Sequence, residues 1–342
     1  MKLLKRIVLV VASLLVIIIP LGITFTVGWR PIFGPRMRPL TNRTFEATPE
    51  RRQRGEYLVH AVSGCFVCHS EPDRSLPNAP PKAGREGAGQ FAGSDPDLGG
   101  IYMPNLTPDK ETGLGTWTDD EIARAIREGV DKNGRTLFPI MPYDNFRHMS
   151  DEDIASIVVY LRSIPAVRNP LPLMKPPFPV SRLVMSVPEP VTEPVPTPDF
   201  SSPLERGTYL TRLASCNHCH TPRDSRGQLL EGLEFAGGPP MQGSDGMTRA
   251  SLNLTPDSSG LSYFDEQIFF TIIRTGKYGA RKLNPPMPWT VYRNMTDEDL
   301  RGVWTFVHNL KPVSHRVDNS MEPTMCPVCG NMHGAGDKNH PR

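Results

Sequence analysis

Cys65-Phe66-Val67-Cys68-His69 recurs in pattern as Cys216-Asn217-His218-Cys219-His220. Cys-x-x-Cys-His is the attachment signal of a c-type haem. Two thiols three positions apart can each add to one vinyl group of the same haem. The adjacent histidine is then held beneath the iron as its proximal ligand. A disulfide or half of a zinc site would also use a Cys-x-x-Cys pair, but the spacing together with the histidine disfavours both. With 6 cysteines and 9 histidines in 342 residues, two matches at corresponding places are not a product of composition.

The flanking sequence repeats as well. Arg54-Gly55-Glu56-Tyr57-Leu58 returns as Arg206-Gly207-Thr208-Tyr209-Leu210, and Asn105-Leu106-Thr107-Pro108-Asp109 returns identically at residues 253 to 257. Ile140-Met141-Pro142-Tyr143 is matched by Pro286-Met287-Pro288-Trp289. Met149 to Ile154 is matched by Met295 to Leu300. The offset stays between 146 and 152 residues, and the haem motif starts seven positions after Leu58 but six after Leu210.

The helical signals are short and well capped. Thr48-Pro49-Glu50 reads as an N-cap, a proline at the first helical position and an acid in the first turn, opening a helix to about Val62. Thr118-Asp119-Asp120-Glu121 opens a second helix that Gly129 stops, and Ser150-Asp151-Glu152-Asp153 caps a third with Ile154, Ile157, Val158 and Leu161 at helical spacing. In the second repeat a helix is expected over Phe264 to Arg274. Residues Pro77 to Gly100 read as loop. The 37 prolines, about twice the average share, imply much irregular chain. A covalently bound haem would give such a chain the apolar bulk it lacks.

The sixth iron ligand must come from the same stretch. Met103, Met141 and Met149 compete in the first repeat. Met149 precedes the N-cap Ser150 and suits a hydrophobic staple on Ile154. Met103 aligns with Ser251 and is not a repeated feature. Met141 lies in a stiff, proline-bracketed loop suited to holding a thioether at a fixed distance. Met141 is therefore expected as the distal ligand, and Met287 by the same argument. His60 and His148 are the remaining alternatives, but Arg212 and Asn294 stand at their counterparts. His218 is read as a surface or haem-edge residue.

Residues Ile7 to Trp29 carry no charged side chain, and as a helix those 23 residues would span about 34 Å. Lys2, Lys5 and Arg6 precede the run, so the amino terminus is expected in the cytoplasm. The run is long for a cleaved signal peptide and lacks an Ala-x-Ala-like end. An uncleaved anchor is expected, and either reading exports the rest of the chain. Pro165 to Pro198 holds eleven prolines and reads as a semi-rigid connector, with an apolar middle (178–187) packed on a domain surface. In the tail, Cys326-Pro327-Val328-Cys329-Gly330 lacks the haem histidine. A disulfide or free dithiol, a metal site with His333 and His340, and a redox-active dithiol all remain open there. A net charge of +2 offers nothing to nucleic acid.

The haem motifs, the two Asn-Leu-Thr-Pro-Asp segments, the Met-Pro-aromatic loops and the Ser/Thr-Asp-Glu-Asp helix starts resemble the cytochrome c subunits of bacterial membrane-bound alcohol and gluconate dehydrogenases. The resemblance covers about residues 50 to 312. Those subunits typically carry three haem domains, whereas this sequence shows two. The expected fold is mostly α: one transmembrane helix (1–30), a tether (31–48), a cytochrome c domain (49–167), a proline-rich linker (168–202), a second cytochrome c domain (203–312) and a tail (313–342). Two covalently bound haem c groups are expected, on Cys65, Cys68, His69 and Met141, and on Cys216, Cys219, His220 and Met287. The expected role is electron transfer from a membrane or periplasmic dehydrogenase, or a quinol-linked donor, to a respiratory acceptor, with the haem domains in the periplasm and the anchor in membrane lipid. A dihaem redox enzyme of the peroxidase or thiosulfate-oxidising type is the alternative. It needs an iron with an open or displaceable ligand, against which the paired methionines argue.

Overall fold

The computed structural model describes residues 2–26, 28–224, 227–243, 246–283 and 287–340. The chain is helix-rich. Its first helix, α1 (Lys2–Thr26), is exposed and apolar, and residues Leu4–Thr24 have a mean hydropathy of 2.9. This is one helix long and apolar enough to cross a membrane. Pro20 lies inside it, and the Thr24 hydroxyl donates to the Pro20 carbonyl at 2.7 Å. A short turn, α2 (Arg30–Phe33), follows at its foot.

The expected tether is strapped down rather than free. Arg38 bridges Asp120 and Glu128 at 2.6 and 2.7 Å, Arg43 reaches Asp120 at 2.7 Å, and the Phe45 amide donates to Asp119 at 2.8 Å. Burial alone would raise the Asp120 carboxyl. The Arg38 hydrogen bonds, the Thr41 amide and the charge of Arg43 outweigh it and hold the group at about 2.

Two halves then run through the same order of elements. The first contains α3 (Pro49–Tyr57), α4 (Cys65–Cys68), the hairpin β1 (Gln90–Asp95) and β2 (Gly99–Met103), α5 (Asp119–Glu128), α6 (Tyr143–Phe146) and α7 (Asp151–Ser163). After the linker, with α8 (Val180–Leu183), come α9 (Pro203–Leu213), α10 (Cys216–His220), the hairpin β3 (Pro240–Gln242) and β4 (Thr248–Ala250), α11 (Glu266–Thr275), the pair β5 (Lys277–Tyr278) and β6 (Arg281–Lys282), α12 (Trp289–Tyr292) and α13 (Asp297–His308). The tail forms the hairpin β7 (Pro323–Met325) and β8 (Met332–Gly334).

The caps read from sequence are present. Thr48, Thr118, Ser150 and Thr296 each accept an amide of the first turn, and Thr118 with Glu121 closes a reciprocal capping box. Three expectations change. The Pro77 to Gly100 region contains β1 and the start of β2 instead of loop alone. The helix expected from Phe264 starts at Glu266, because the Asp265 side chain caps it through the Ile268 amide at 2.7 Å. The apolar linker segment packs as α8 beside α2, and Phe178 remains exposed, as do Phe33 and Ile32.

The recurring Arg-Gly-x-Tyr-Leu segment explains the packing of each half. Leu58 and Leu210 are buried in the core with Ile154, Ile157, Leu213 and Leu300. Gly55 and Gly207 mark the points where the first and last helices of each half cross. A Cβ on Gly55 would lie 2.0 Å from the Ser156 carbonyl oxygen, and one on Gly207 would lie 1.9 Å from that of Gly302. Only glycine permits so close a crossing. Arg54 forks onto Asp153 at 2.8 and 2.9 Å, and Arg206 meets Asp299 at 2.9 Å.

The tyrosines cross between halves. Tyr209 donates to Asp153 at 2.7 Å and accepts the Ser150 amide at 3.0 Å. Tyr57 in turn donates to Asp299 and accepts the Thr296 amide at 3.1 Å. Each half thus clamps the start of the other's last helix, and the interface is reciprocal.

The one-residue difference in spacing also has a structural cause. Residues Leu58–Val62 form a single π-helical turn after α3, which absorbs the extra residue before Cys65. In the second half α9 runs on as α-helix to Leu213.

Candidate functional site: a shared cavity between the two Cys-x-x-Cys-His segments

Both cysteine segments are set by a left-handed residue just before them. Gly64 has φ +59° and Ser215 φ +55°. The chain reverses there and starts a one-turn helix, so the two thiols of each segment fall on one wall. Burial, with the neighbouring thiol adding, pushes Cys65 and Cys216 up to about 12, so both are neutral thiols in the bare polypeptide. All four are free cysteines.

The adjacent histidines are held in the same way in both halves. His69 Nδ1 is 2.8 Å from the Pro104 carbonyl, and His220 Nδ1 is 2.8 Å from the Leu252 carbonyl. A carbonyl can only accept, so Nδ1 carries the proton and Nε2 keeps its lone pair. That is the tautomer a metal requires, and the backbone tie fixes the ring's direction. Burial lowers the basicity of both rings, more than the carbonyl contacts raise it, which keeps them neutral.

These carbonyls lie just ahead of the Asn-Leu-Thr-Pro-Asp segments. Asn105, Thr107, Asn253 and Thr255 of those segments are buried and act as clamps. Asn105 Oδ1 accepts the Thr107 amide at 2.9 Å while its Nδ2 donates to the Val167 carbonyl at 2.7 Å. Asn253 repeats this with Thr255 at 2.9 Å and Val313 at 2.8 Å. The chain leaving each half is thereby tied to the loop that holds its histidine.

Met141 and Met287 line the cavity as well. In each loop the aromatic residue two positions on returns its amide to the methionine carbonyl: Tyr143 at 2.8 Å and Trp289 at 2.9 Å. These rings lie flat against the glycine ending the preceding helix. A Cβ on Gly129 would meet the Tyr143 ring at 2.6 Å, and one on Gly276 the Trp289 ring at 2.4 Å. Both glycines also have positive φ, +69° and +67°. The glycine stop and the aromatic therefore form one device that sets the methionine loop. Pro286, the first proline bracketing Met287, lies outside the described residues.

Cys65, Cys68, His69 and Met141 line the same cavity as Cys216, Cys219, His220 and Met287. Its volume is 2040 Å³, about twice the upper end of the roughly 300–1,000 Å³ typical of a single small-molecule site. The walls are largely apolar, with Ile122, Ile126, Leu161, Phe269, Ile272 and Val303 among them. Such a space suits two large, flat, apolar groups. The donor sets suit haem c: each half brings a thiol pair, an imidazole and a thioether to the cavity lining.

The segments meet near Tyr292, whose hydroxyl donates to the Ala214 carbonyl at 2.7 Å. Burial, followed by the nearby Cys216, Cys219 and Cys68, raises its phenol well above the ordinary value. Asn145 donates to Asn217 across the halves at 3.0 Å.

The competing histidines sit elsewhere, whereas the competing methionines also line the cavity. His60 is paired with the Tyr160 hydroxyl at 2.7 Å, and neither it nor His148 lines the cavity. Met149 and Met295 are buried in the core beside Ile154 and Leu300, as a staple requires, and also reach the cavity wall. Met103 lies on β2 at the rim. His218 lines the cavity with Arg223 at 3.5 Å from its Nδ1.

No protein-family model matches the chain. Among characterised proteins, it is 30% identical over 272 residues to the fructose dehydrogenase cytochrome subunit of Gluconobacter japonicus, covering 75% of this chain and 52% of that one. It is 30% identical over 305 residues to the cytochrome c subunit of a quinone alcohol dehydrogenase of Gluconacetobacter polyoxogenes, covering 83% and 60%. A dihaem c-type cytochrome of Cereibacter sphaeroides is 30% identical over 202 residues, covering 56% and 64%. The chain is thus similar to dehydrogenase cytochrome c subunits, the class its motifs indicate, and spans 52% to 64% of the length of these relatives.

Proposed function

We propose that this chain is a membrane-anchored dihaem c-type cytochrome that passes electrons from a dehydrogenase or quinol-linked donor to a respiratory acceptor. Two tandem cytochrome c domains, at about 49–167 and 203–312, carry it out on the periplasmic side. The observation that carries the reading is the single cavity lined by both Cys-x-x-Cys-His segments and both methionine loops.

When bound, haem c supplies a one-electron ferric–ferrous couple, and His/Met ligation favours the ferrous form and a comparatively high potential. The polypeptide does the rest. The thiols of Cys65, Cys68, Cys216 and Cys219 would fasten the two groups. His69 and His220 would present Nε2 to the irons, fixed by the carbonyls of Pro104 and Leu252. Met141 and Met287 would supply a thioether to each group, so that with the histidines both irons would be held by protein ligands and not by a substrate. The apolar walls exclude water, and the stiff loops limit movement of the ligands between oxidation states. The reciprocal Tyr57 and Tyr209 clamps fix the distance between the two sites.

The membrane assignment draws on α1 and on the exposed Ile32, Phe33, Phe178 and Leu183 around its foot, a patch suited to the lipid headgroup boundary. The dehydrogenase partner draws on the names of the relatives, and the count of two haems on the paired motifs and the dihaem relative.

Optical and near-infrared spectra of the purified protein test the carrier against a dihaem enzyme. Two low-spin haems with a sulfur-to-iron charge-transfer band are expected. A high-spin ferric haem, or a shift on adding peroxide, would instead indicate an iron open to substrate.

A further inference from the structure

The tail brings together four buried side chains that the reading above does not use. His315, Cys326, Cys329 and His333 place one ligand atom each within 4.8 Å of one another. Cys326 Sγ lies 3.4 Å from His315 Nε2, and Cys329 Sγ lies 3.4 Å from His333 Nε2. All four residues are nearly inaccessible, at 0%, 0%, 4% and 2% exposure in that order.

We infer that these residues form a structural zinc site of the Cys2His2 kind. The sequence pointed to His333 and His340 as partners of the cysteines. His340 is exposed, and the fourth member of the cluster is His315, which precedes the pair by eleven positions.

Four observations support a metal over a bare dithiol. The donor set, two sulfurs and two imidazole nitrogens with no open position, is that of a closed zinc site. A tetrahedral centre with ordinary bond lengths puts sulfur and nitrogen about 3.6 Å apart, close to the 3.4 Å seen for both pairs. Each histidine commits its other nitrogen to a backbone carbonyl, His315 Nδ1 to Ala236 at 2.8 Å and His333 Nδ1 to Gly334 at 3.1 Å, leaving Nε2 to face the thiols. This is the outer-shell arrangement of metal-bound histidine. A disulfide between Cys326 and Cys329 would leave both converging imidazoles without a role.

The site would supply what the tail lacks. Residues 313–342 hold few apolar side chains, and the described ones among them form the small hairpin β7–β8 and a single turn at Gly336–Lys338, which could not stand alone. A metal would stand in for a core, with folding and binding coupled. It would also fasten the tail to the second half. Asn319 exchanges two hydrogen bonds with the backbone of Ala250, at 2.8 and 2.9 Å. Ala236, which holds His315, is followed by Gly237, whose amide donates to the His220 carbonyl at 2.7 Å. The metal would therefore brace the loop that carries the second candidate haem histidine, though the proposal itself does not depend on haem.

The test uses the full chain, purified with its pigment in detergent. Zinc is counted per polypeptide by elemental analysis, and its shell is read by X-ray absorption. One zinc per chain is expected, with two sulfurs at about 2.3 Å and two nitrogens at about 2.0 Å. His315→Ala and Cys326→Ser should each weaken zinc affinity by more than about 100-fold, since losing a ligand exceeds the 10–100-fold cost of an outer-shell change, so both should give up zinc to a chelator that leaves the native chain loaded. The native-chain spectrum decides the matter even if a variant misfolds. Native chain without zinc, with another metal at one equivalent, or with Cys326 and Cys329 recovered as a disulfide would overturn the assignment, as would zinc retained by both variants.

Discussion

Replacing Tyr209 by Phe removes one hydroxyl from the interface between the halves. That hydroxyl donates to Asp153 at 2.7 Å and accepts the Ser150 amide at 3.0 Å, and Ser150 is fully buried. Burial and the Asp153 charge hold the phenol protonated at any working pH, so it always donates. Loss of a hydrogen bond to a charged group costs about 1.5–3 kcal/mol, and leaving a buried amide unpaired costs about 1–3 kcal/mol more. Asp153 keeps its fork with Arg54, so its charge is not orphaned. The expected sum is about 2.5–6 kcal/mol. The sister change, Tyr57→Phe, acts on the amide of Thr296, which is exposed and can turn to water. It should cost about 1.5–3 kcal/mol, from the lost bond to Asp299. Guanidinium unfolding of the two variants, followed by visible absorbance and far-ultraviolet dichroism, measures the difference. Equal losses, or a larger loss for Tyr57→Phe, would refute the reciprocal-clamp reasoning.

Met141→Ala and Met287→Ala should each abolish half of the sulfur-to-iron band and lower one midpoint potential by ~0.1 V, a small part of the roughly 0.8 V that axial ligands span. Potentiometry with near-infrared detection checks both. Gly129→Ala should cost about 1–2 kcal/mol for its left-handed backbone and about 1–3 kcal/mol for displacing the Tyr143 ring. Thermal unfolding reads the stability, and a weakened sulfur-to-iron band reads the disturbed Met141 loop. The strap over α5 should open in acid. Asp120 is depressed to about 2 from an ordinary value near 3.8. Its stabilisation is complete above about pH 4 and is lost as pH falls from there toward 2. Hydrogen exchange of residues 38–45 across that range should show progressive release, and Asp120→Asn should show it already at neutral pH.

What could be read from the sequence followed local chemistry. Helix starts at Thr48, Thr118, Ser150 and Thr296 were legible because a cap is decided within one turn. The cysteine segments and the methionine loops stood out because haem attachment and ligation would need fixed residues at fixed spacing. The structure brings all of them to one cavity. What sequence left hidden depends on distant contacts. Tyr57 and Tyr209 look like ordinary helix residues until their partners from the other half are in place. The extra residue before Cys65 gave no sign of a π turn, since its fit depends on the packing around Leu58 to Val62. The hairpins β1–β2 and β3–β4 were masked by glycine and proline. His315 was missed because no short spacing ties it to the cysteines. The sequence supplied His340 as a fourth candidate beside Cys326, Cys329 and His333, which left no gap to point to His315.

The central claim is that two macrocycles are bonded to this polypeptide through the two Cys-x-x-Cys-His segments. An intact-mass spectrum of the membrane-purified chain, after denaturation and acid–acetone washing, tests it most directly. The expected mass is that of the polypeptide plus two haems, falling to one haem in Cys68→Ala/Cys65→Ala and likewise in Cys216→Ala/Cys219→Ala. A bare polypeptide mass, or a single haem on the unaltered chain, would contradict it.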